Sequence, residues 1–369
     1  MDKKIKVFGA ALDALDDPIK VLAKCSYINK LAQNLIELER DFLDPYDGLL
    51  KLSSLLKKEE FIKIGKFPIE TWLTPKPKIE DYPLLDPLKY QEFVNSGAVK
   101  KVSVDLERFV SDKILPDIPL MIGADHSLTG GILNALSKKY GSENILIIIF
   151  DAHFDAIPAS ISLNLVKYMK EHQNEINILN PEILESINTE QLVLNDTYSY
   201  ASFLDHLIYD STILPQNLII FGCQDYPSEE MLAVNDPRVK QYVDFYLSFK
   251  EKGVRFIPAA KNSKEMIEKL EQILHDRNIQ YLYLSFDVDV GVFKEVLAAR
   301  IMNVIGIEEE IILNAAKVIK DFMKLKKCEL IGLDILEIDT YLLGIELKKS
   351  GRKDQTVRVI DNFLNIIFS

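Results

Sequence analysis

Asp151, His153 and Asp155 alternate directly after an apolar run, Ile145 to Ile149, that reads as a buried strand. In extended chain every second side chain points the same way, so two carboxylates and an imidazole converge where a core strand surfaces. Such a group needs a cation to be tolerated. A donor set rich in carboxylate oxygens points to hard or borderline divalent ions rather than to one structural zinc. The pattern recurs twice: Leu282 to Phe286 runs into Asp287-Val288-Asp289, and Ile118 to Ile122 runs into Gly123-Ala124-Asp125-His126-Ser127. His126, Asp151, His153, Asp155, Asp287 and Asp289 make up two imidazoles and four carboxylates. That inventory suits a pair of divalent cations about 3.5–4 Å apart. Asp125 reads as a turn former or a supporting carboxylate, and Asp225, at another strand end, as a residue that orders a loop.

Positioning these side chains takes a sheet whose strands end together. Apolar runs alternate with amphipathic helical segments along the chain, which predicts a parallel sheet wrapped on both faces, an α/β three-layer αβα architecture. Strands are expected at Ile5 to Gly9, Ile118 to Ile122, Ile145 to Phe150, Asn217 to Phe221, Val254 to Ile257, Tyr281 to Phe286 and Leu330 to Ile335. Helices are expected at Ala23 to Leu43, Leu88 to Lys113, Gly130 to Tyr140, Lys264 to Arg277, Ile307 to Lys324 and Gln355 to Phe368. Open parallel sheets place ligands at the carboxyl ends of their strands, where these motifs fall. The segment from about 44 to 87, with five prolines between Pro68 and Pro87, reads as an irregular excursion.

The three motifs in this order resemble those of the ureohydrolase family, which comprises arginases, agmatinases, guanidinobutyrases and formimidoylglutamases. Gly123-Ala124-Asp125-His126-Ser127, Asp151-Ala152-His153-Phe154-Asp155 and Ser285-Phe286-Asp287-Val288-Asp289 match its three strand-end signatures. Val7-Phe8-Gly9-Ala10-Ala11-Leu12-Asp13 is similar to its first strand and loop, and Gly332-Leu333-Asp334-Ile335-Leu336-Glu337 to its late strand. The resemblance implies one arginase/deacetylase-like α/β domain over residues 1–369, with an insertion at about 160–195. It also implies two manganese ions per chain. One would be held by His126, Asp151, Asp155 and Asp287, the other by His153, Asp151, Asp287 and Asp289. A water shared between them would attack a planar guanidine or amidine carbon. Glu337 would accept hydrogen bonds from the cationic group, and Asp155 would relay a proton.

The departures bear on the substrate. The family's proton-shuttling loop histidine has its nearest counterpart in Tyr200, a hydrogen-bond donor that titrates near 10 and is a poor base at neutral pH. His172 and His206 are the nearby imidazoles that would have to substitute. Val290 to Glu295 replaces the usual Asp-Pro loop, and Ile338-Asp339-Thr340 follows Glu337. A complete metal set beside an altered pocket predicts a hydrolytic centre with a changed substrate. The alternative is a metal-binding family member without turnover that acts as a binding or regulatory subunit. A single-zinc deacetylase of the same fold needs only one Asp-x-His and one further Asp, so the additional His126, Asp155 and Asp289 oppose that reading.

Composition agrees. The chain has 369 residues and 48% hydrophobic content, enough for a sizeable core. A net charge of −12 opposes nonspecific nucleic-acid binding. No apolar run approaches the roughly 18 residues of a membrane span, and Met1 to Lys6 lacks a signal-peptide core. Cys25, Cys223 and Cys328 form no Cys-x-x-Cys pair, which suits a reducing cytoplasm. The expected partner is a small guanidine or amidine, with no nucleic acid and no membrane. The family resemblance implies a homo-oligomer, a trimer or hexamer.

Overall fold

The computed structural model describes residues 3–15, 18–32, 42–176, 184, 195–260, 263–301, 306–347 and 351–369. Its centre is an eight-stranded sheet: β1 (Ile5–Ala10), β2 (Phe61–Lys66), β3 (Ile118–Gly123), β4 (Ile145–Phe150), β5 (Leu218–Cys223), β6 (Arg255–Pro258), β7 (Tyr281–Asp287) and β8 (Glu329–Leu336). The spatial order is β2-β1-β3-β8-β7-β4-β5-β6, and every pairing is parallel.

Alternation along β4 explains the layers. Leu146, Ile148 and Phe150 join one apolar core with Ile312, Ile319, Phe363 and Leu364 from helices Glu309–Lys326 and Thr356–Phe368. Ile145, Ile147 and Ile149 join the opposite core with Leu106, Ile132, Leu136, Tyr246 and Phe249. All six residues of β4 are buried, as a strand covered on both faces requires. The three-layer αβα reading therefore holds.

Some elements differ from expectation. The region 44–87 is less irregular than its prolines suggest: it contains the helix Pro45–Leu52 and the edge strand β2. Only Phe61 of β2 is buried, so it carries little of the apolar signal that marks a core strand. The single helix expected over 88–113 is two, Pro87–Asn95 and Ala98–Lys113. Gly97 parts them with φ 76°, a conformation side-chain-bearing residues avoid. The helix expected from Ala23 runs instead over Pro18–Ala32, and 33–41 lie outside the described residues. Of the expected 160–195 insertion, Ala159–Glu171 is helical, and most of 177–194 lies outside the described residues.

Candidate metal centre

β3, β8, β7 and β4 are the four central strands, and their carboxyl ends carry the candidate ligands. β3 and β4 follow each other in sequence yet are parted by β8 and β7, which is the switch point where open α/β sheets place ligands. His126 begins the turn after β3, capped by Asp125, whose Oδ1 accepts from the Ser127 N–H at 3.1 Å. Asp151 to Asp155 follow β4, while Asp287 ends β7 and caps the turn Val288–Val290.

His126 Nδ1 lies 3.1 Å from Asp151 Oδ2, 2.9 Å from Asp155 Oδ2 and 3.3 Å from Asp287 Oδ2. His153 Nδ1 lies 2.9 Å from Asp289 Oδ2 and 3.7 Å from Asp151 Oδ1. Two ligand groups result, His126/Asp151/Asp155/Asp287 and Asp151/His153/Asp289, with Asp151 common to both. Asp287 Oδ1 accepts from the Asp289 N–H at 2.9 Å and its Oδ2 faces His126, just as Asp151 Oδ1 accepts from the His153 N–H at 2.6 Å while its Oδ2 faces His126.

These residues fit divalent cations. His126 Nδ1 and Asp151 Oδ2 are buried without a hydrogen bond of proper geometry, although they face each other across 3.1 Å. Burial, then repulsion from neighbouring carboxylates, pushes Asp151 and Asp287 well above the usual carboxylate range. Burial works against the charged imidazoles of His126 and His153, but the surrounding carboxylates outweigh it and raise both. Buried acids that repel one another and imidazoles that attract protons are what a cluster shows when protons stand in for cations.

Support lies one layer further out. His126 Nε2 is 2.9 Å from Ser285 Oγ, and Ser285 Oγ donates to Asp334 Oδ1 at 2.6 Å. Asp334 Oδ2 accepts from Thr129 Oγ1 at 2.7 Å and from the Tyr283 hydroxyl. Asp155 and Glu337 are non-glycine residues with positive φ, 50° and 57°. Strained backbone at both positions shows that the surrounding packing dictates their direction. Glu337 Oε1 accepts from the His126 N–H at 3.0 Å, whereas its Oε2 is buried without a partner among the described residues. Burial pushes its pKa up to about 8, against the pull of Arg300.

The arginase family model matches residues 78–342, most of the 369 residues. The chain belongs to the arginase family. An arginase of Staphylococcus aureus (strain COL) is 31% identical over 201 residues, 53% of this chain and 51% of that protein. The chain thus spans about half the length of the curated relatives it matches. Among solved structures, arginase from Bacillus cereus superposes with a TM-score of 0.55 at 16% identity, covering 100% of this chain and 99% of that one. Proclavaminate amidino hydrolase from Streptomyces clavuligerus gives 0.55 at 15% identity, covering 100% and 92%. At these identities the structures attest the shared fold.

In this arginase-family chain a cavity of about 210 Å³ is lined by His153, Asp155, Tyr200, Asp225, Asp289 and Glu337, among others. Tyr200 is therefore at the site, while His172 and His206 do not line it. His172 stacks on Tyr168 and His206 packs against Tyr198. Asp225 does more than order a loop. It lines the cavity, its Oδ2 accepts from the Phe154 N–H at 3.3 Å, and its Oδ1 accepts from Cys223 Sγ at 3.0 Å. Burial and this carboxylate hold the Cys223 thiol well above its usual range, which makes it a packing residue.

Sequence reasoning missed Arg300 and underused Asp13. Arg300 is buried, its Nε 2.8 Å from Asp13 Oδ1 and its Nη1 3.2 Å from Glu337 Oε1. The signal was there: one arginine inside the apolar run Val296-Leu297-Ala298-Ala299-Arg300-Ile301. A lone charge among such neighbours needs a buried partner.

Proposed function

We propose that this chain is a binuclear, manganese-dependent hydrolase that cleaves a C–N bond of a linear guanidine or amidine. The observation that carries the reading is the shared cavity: Glu337 lines the same space as His153, Asp155 and Asp289. His126, Asp151, Asp155 and Asp287 would hold one ion, and His153, Asp151, Asp287 and Asp289 the other. Mixed imidazole and carboxylate donors favour a borderline ion such as manganese. When bound, two such ions would supply a water nucleophile at neutral pH and would stabilise the charge that develops on the oxygen joined to the attacked carbon.

The chain's own residues do the rest. Oε2 of Glu337 receives an N–H of the cationic amidine, and the cation in turn favours the charged form of that carboxyl. Asp155, held by its strained backbone at the wall of the cavity, takes a proton from the attacking water and passes it on. Tyr200 donates a hydrogen bond to the departing amine. The relatives named as arginase and amidino hydrolase support this chemistry. The altered pocket residues, Tyr200 and Ile338-Asp339-Thr340, support a substrate other than arginine. The reading includes a single ureohydrolase-like domain, a cytoplasmic protein and a homo-oligomer, trimer or hexamer.

The test is a panel assay on manganese-loaded protein. Arginine, agmatine, guanidinobutyrate, guanidinopropionate and formiminoglutamate are screened for urea, ammonia or formamide, with Asp151→Ala as blank. Product absent from the blank supports the hydrolase and names its substrate. Two bound metals with no turnover and no amidine binding would leave a family member that serves as a binding or regulatory subunit.

A further inference from the structure

Arg300 stands behind Glu337. Its Nη1 donates to the Ala124 carbonyl at 2.7 Å and sits 3.2 Å from Glu337 Oε1 and 3.4 Å from Asp125 Oδ2. Its backbone N–H donates to the Glu337 carbonyl at 2.7 Å, so the two residues are tied through main chain and side chain. The guanidinium also lies over the Tyr200 ring, 5.6 Å from its centroid. Asp13 is shared between Arg300 Nε at 2.8 Å and Lys24 Nζ at 3.0 Å. All five charged residues of this network, Asp13, Lys24, Asp125, Arg300 and Glu337, are more than nine-tenths buried.

The pair divides two spaces. Glu337 lines the cavity with Asp155 and His153, while Arg300 lines a second cavity, also about 210 Å³, with Asp13, Lys24 and Thr340. Arg300 thus borders a space other than the one Glu337 shares with the candidate ligands. A carboxylate has two oxygens, and here their fates differ. Oε1 receives both Arg300 Nη1 and the His126 N–H, whereas Oε2 has no partner among the described residues. A buried carboxylate oxygen left without a partner forfeits its hydration, so its orientation has to be enforced.

We infer that Arg300 is the positioning residue of this site: by holding Oε1 it reserves Oε2 of Glu337 as the one oxygen that receives an amidinium N–H. The inference rests on the proposed role of Glu337 as substrate acceptor. Its consequence is a single-point grip. With Oε1 occupied, the two-point pairing usual between a carboxylate and a guanidinium is not available, and the amidine is oriented through one nitrogen.

The test uses full-length manganese-loaded protein, as wild type, Arg300→Met, Arg300→Lys, Glu337→Gln and the Arg300→Met/Glu337→Gln pair. Metal content and melting temperature are recorded first, with Arg300→Lys as the charge-keeping variant should Arg300→Met fold poorly. Acetamidinium binding is then measured by calorimetry, and KM and kcat with whichever substrate turns over. Arg300→Met should bind two metals, weaken acetamidinium about tenfold or more and raise KM more than it lowers kcat. Arg300→Lys should recover part of this, and in the Glu337→Gln background Arg300→Met should have little further effect. Unchanged or tighter acetamidinium binding in Arg300→Met, or effects that simply add with Glu337→Gln, would overturn the inference. Crystal structures of wild type and the Arg300 variants decide independently of substrate. Glu337 should turn away from the His126 N–H when Arg300 is replaced, and an unmoved carboxylate overturns the positioning role. If wild type neither binds acetamidinium nor turns over any amidine, the proposed function fails, and the orientation of Glu337 in these structures still decides whether Arg300 positions it.

Discussion

The backbone N–H of His126 donates to Oε1 of Glu337 at 3.0 Å, joining residues 211 positions apart in the sequence. One imidazole of the ligand cluster and the candidate substrate acceptor are thereby held in one frame. Displacing the turn after β3 displaces Glu337 with it. Bound metal and bound substrate are expected to depend on each other through this bond.

Asp151 is the carboxylate common to both ligand groups. Asp151→Ala should therefore lose both metals, whereas His153→Ala should lose one. Metal content by mass spectrometry after desalting checks this, and turnover should fall in each by a factor on the order of 10² to 10³ or more. Two ions retained by Asp151→Ala would refute the shared role.

Ser285 links His126 to Asp334. Ser285→Ala keeps the strand but frees the imidazole to rotate and removes the acceptor that fixes its tautomer. Losses of about 10- to 100-fold in metal affinity are typical for such a partner. Competition with a chelator of known affinity should show that loss at one of the two ions only, the one held by His126.

Metal-free protein should lose stability as pH rises. The folded-state pKa values of His126 and His153 are raised above the usual histidine value, burial notwithstanding, by the carboxylates around them. Their contribution is fully present below about 6.5 and is lost as pH climbs through the raised folded values. Asp151 and Asp287, raised by burial and neighbouring carboxylates, act in the same direction. Asp289 does not enter this window: burial pushes it up, but His153 and its hydrogen bonds hold it below the usual carboxylate value, so its stabilisation is lost only in acid. Thermal melts in chelator from about pH 6 to pH 9 should show a falling midpoint. Added manganese should flatten or reverse the slope, and a midpoint that rises with pH in chelator would contradict the sign.

Gly130 opens the helix Thr129–Tyr140 directly under Tyr198, and a Cβ there would overlap the Tyr198 hydroxyl. That hydroxyl donates to the Ser127 carbonyl at 2.5 Å, beside the His126 turn. Gly130→Ala should destabilise the protein by about 1–3 kcal/mol through overpacking. Adding Tyr198→Phe should relieve part of the loss, at the cost of about 1 kcal/mol for the missing hydrogen bond. Denaturant unfolding of the single and double variants measures both, and additive losses would show that the two groups do not collide.

Much of the site was legible because its signals are local. Asp151, His153 and Asp155 fall within five residues of one strand end, and Asp287 and Asp289 within three of another, so their residue types alone mark the site. The extended, period-two geometry expected of them is not what brings them together: both segments turn, with Asp155 at φ 50° and Val288–Val290 in a tight turn. Tyr200 could be placed because it follows Asp155 in the order of the family's motifs. What stayed hidden were elements with weak apolar signal, such as β2, and residues whose meaning depends on a distant partner. Ser285 looks like a small strand residue until His126, 159 positions away, is seen against it. Arg300 looks like a surface charge out of place until Glu337, 37 positions on, is found facing it.

By itself the sequence determined the strands that lead into the site and the ligand inventory at their ends. Those properties follow from backbone periodicity and burial, which act over a few residues. The tertiary structure alone decided that β8 and β7 sit between β3 and β4, that the ligands from three strand ends meet at one place, and that Arg300 holds one oxygen of Glu337. Strand order and buried charge pairing are settled by how all the crossover helices pack on the two faces of the sheet at once, and no local window of residues contains that sum.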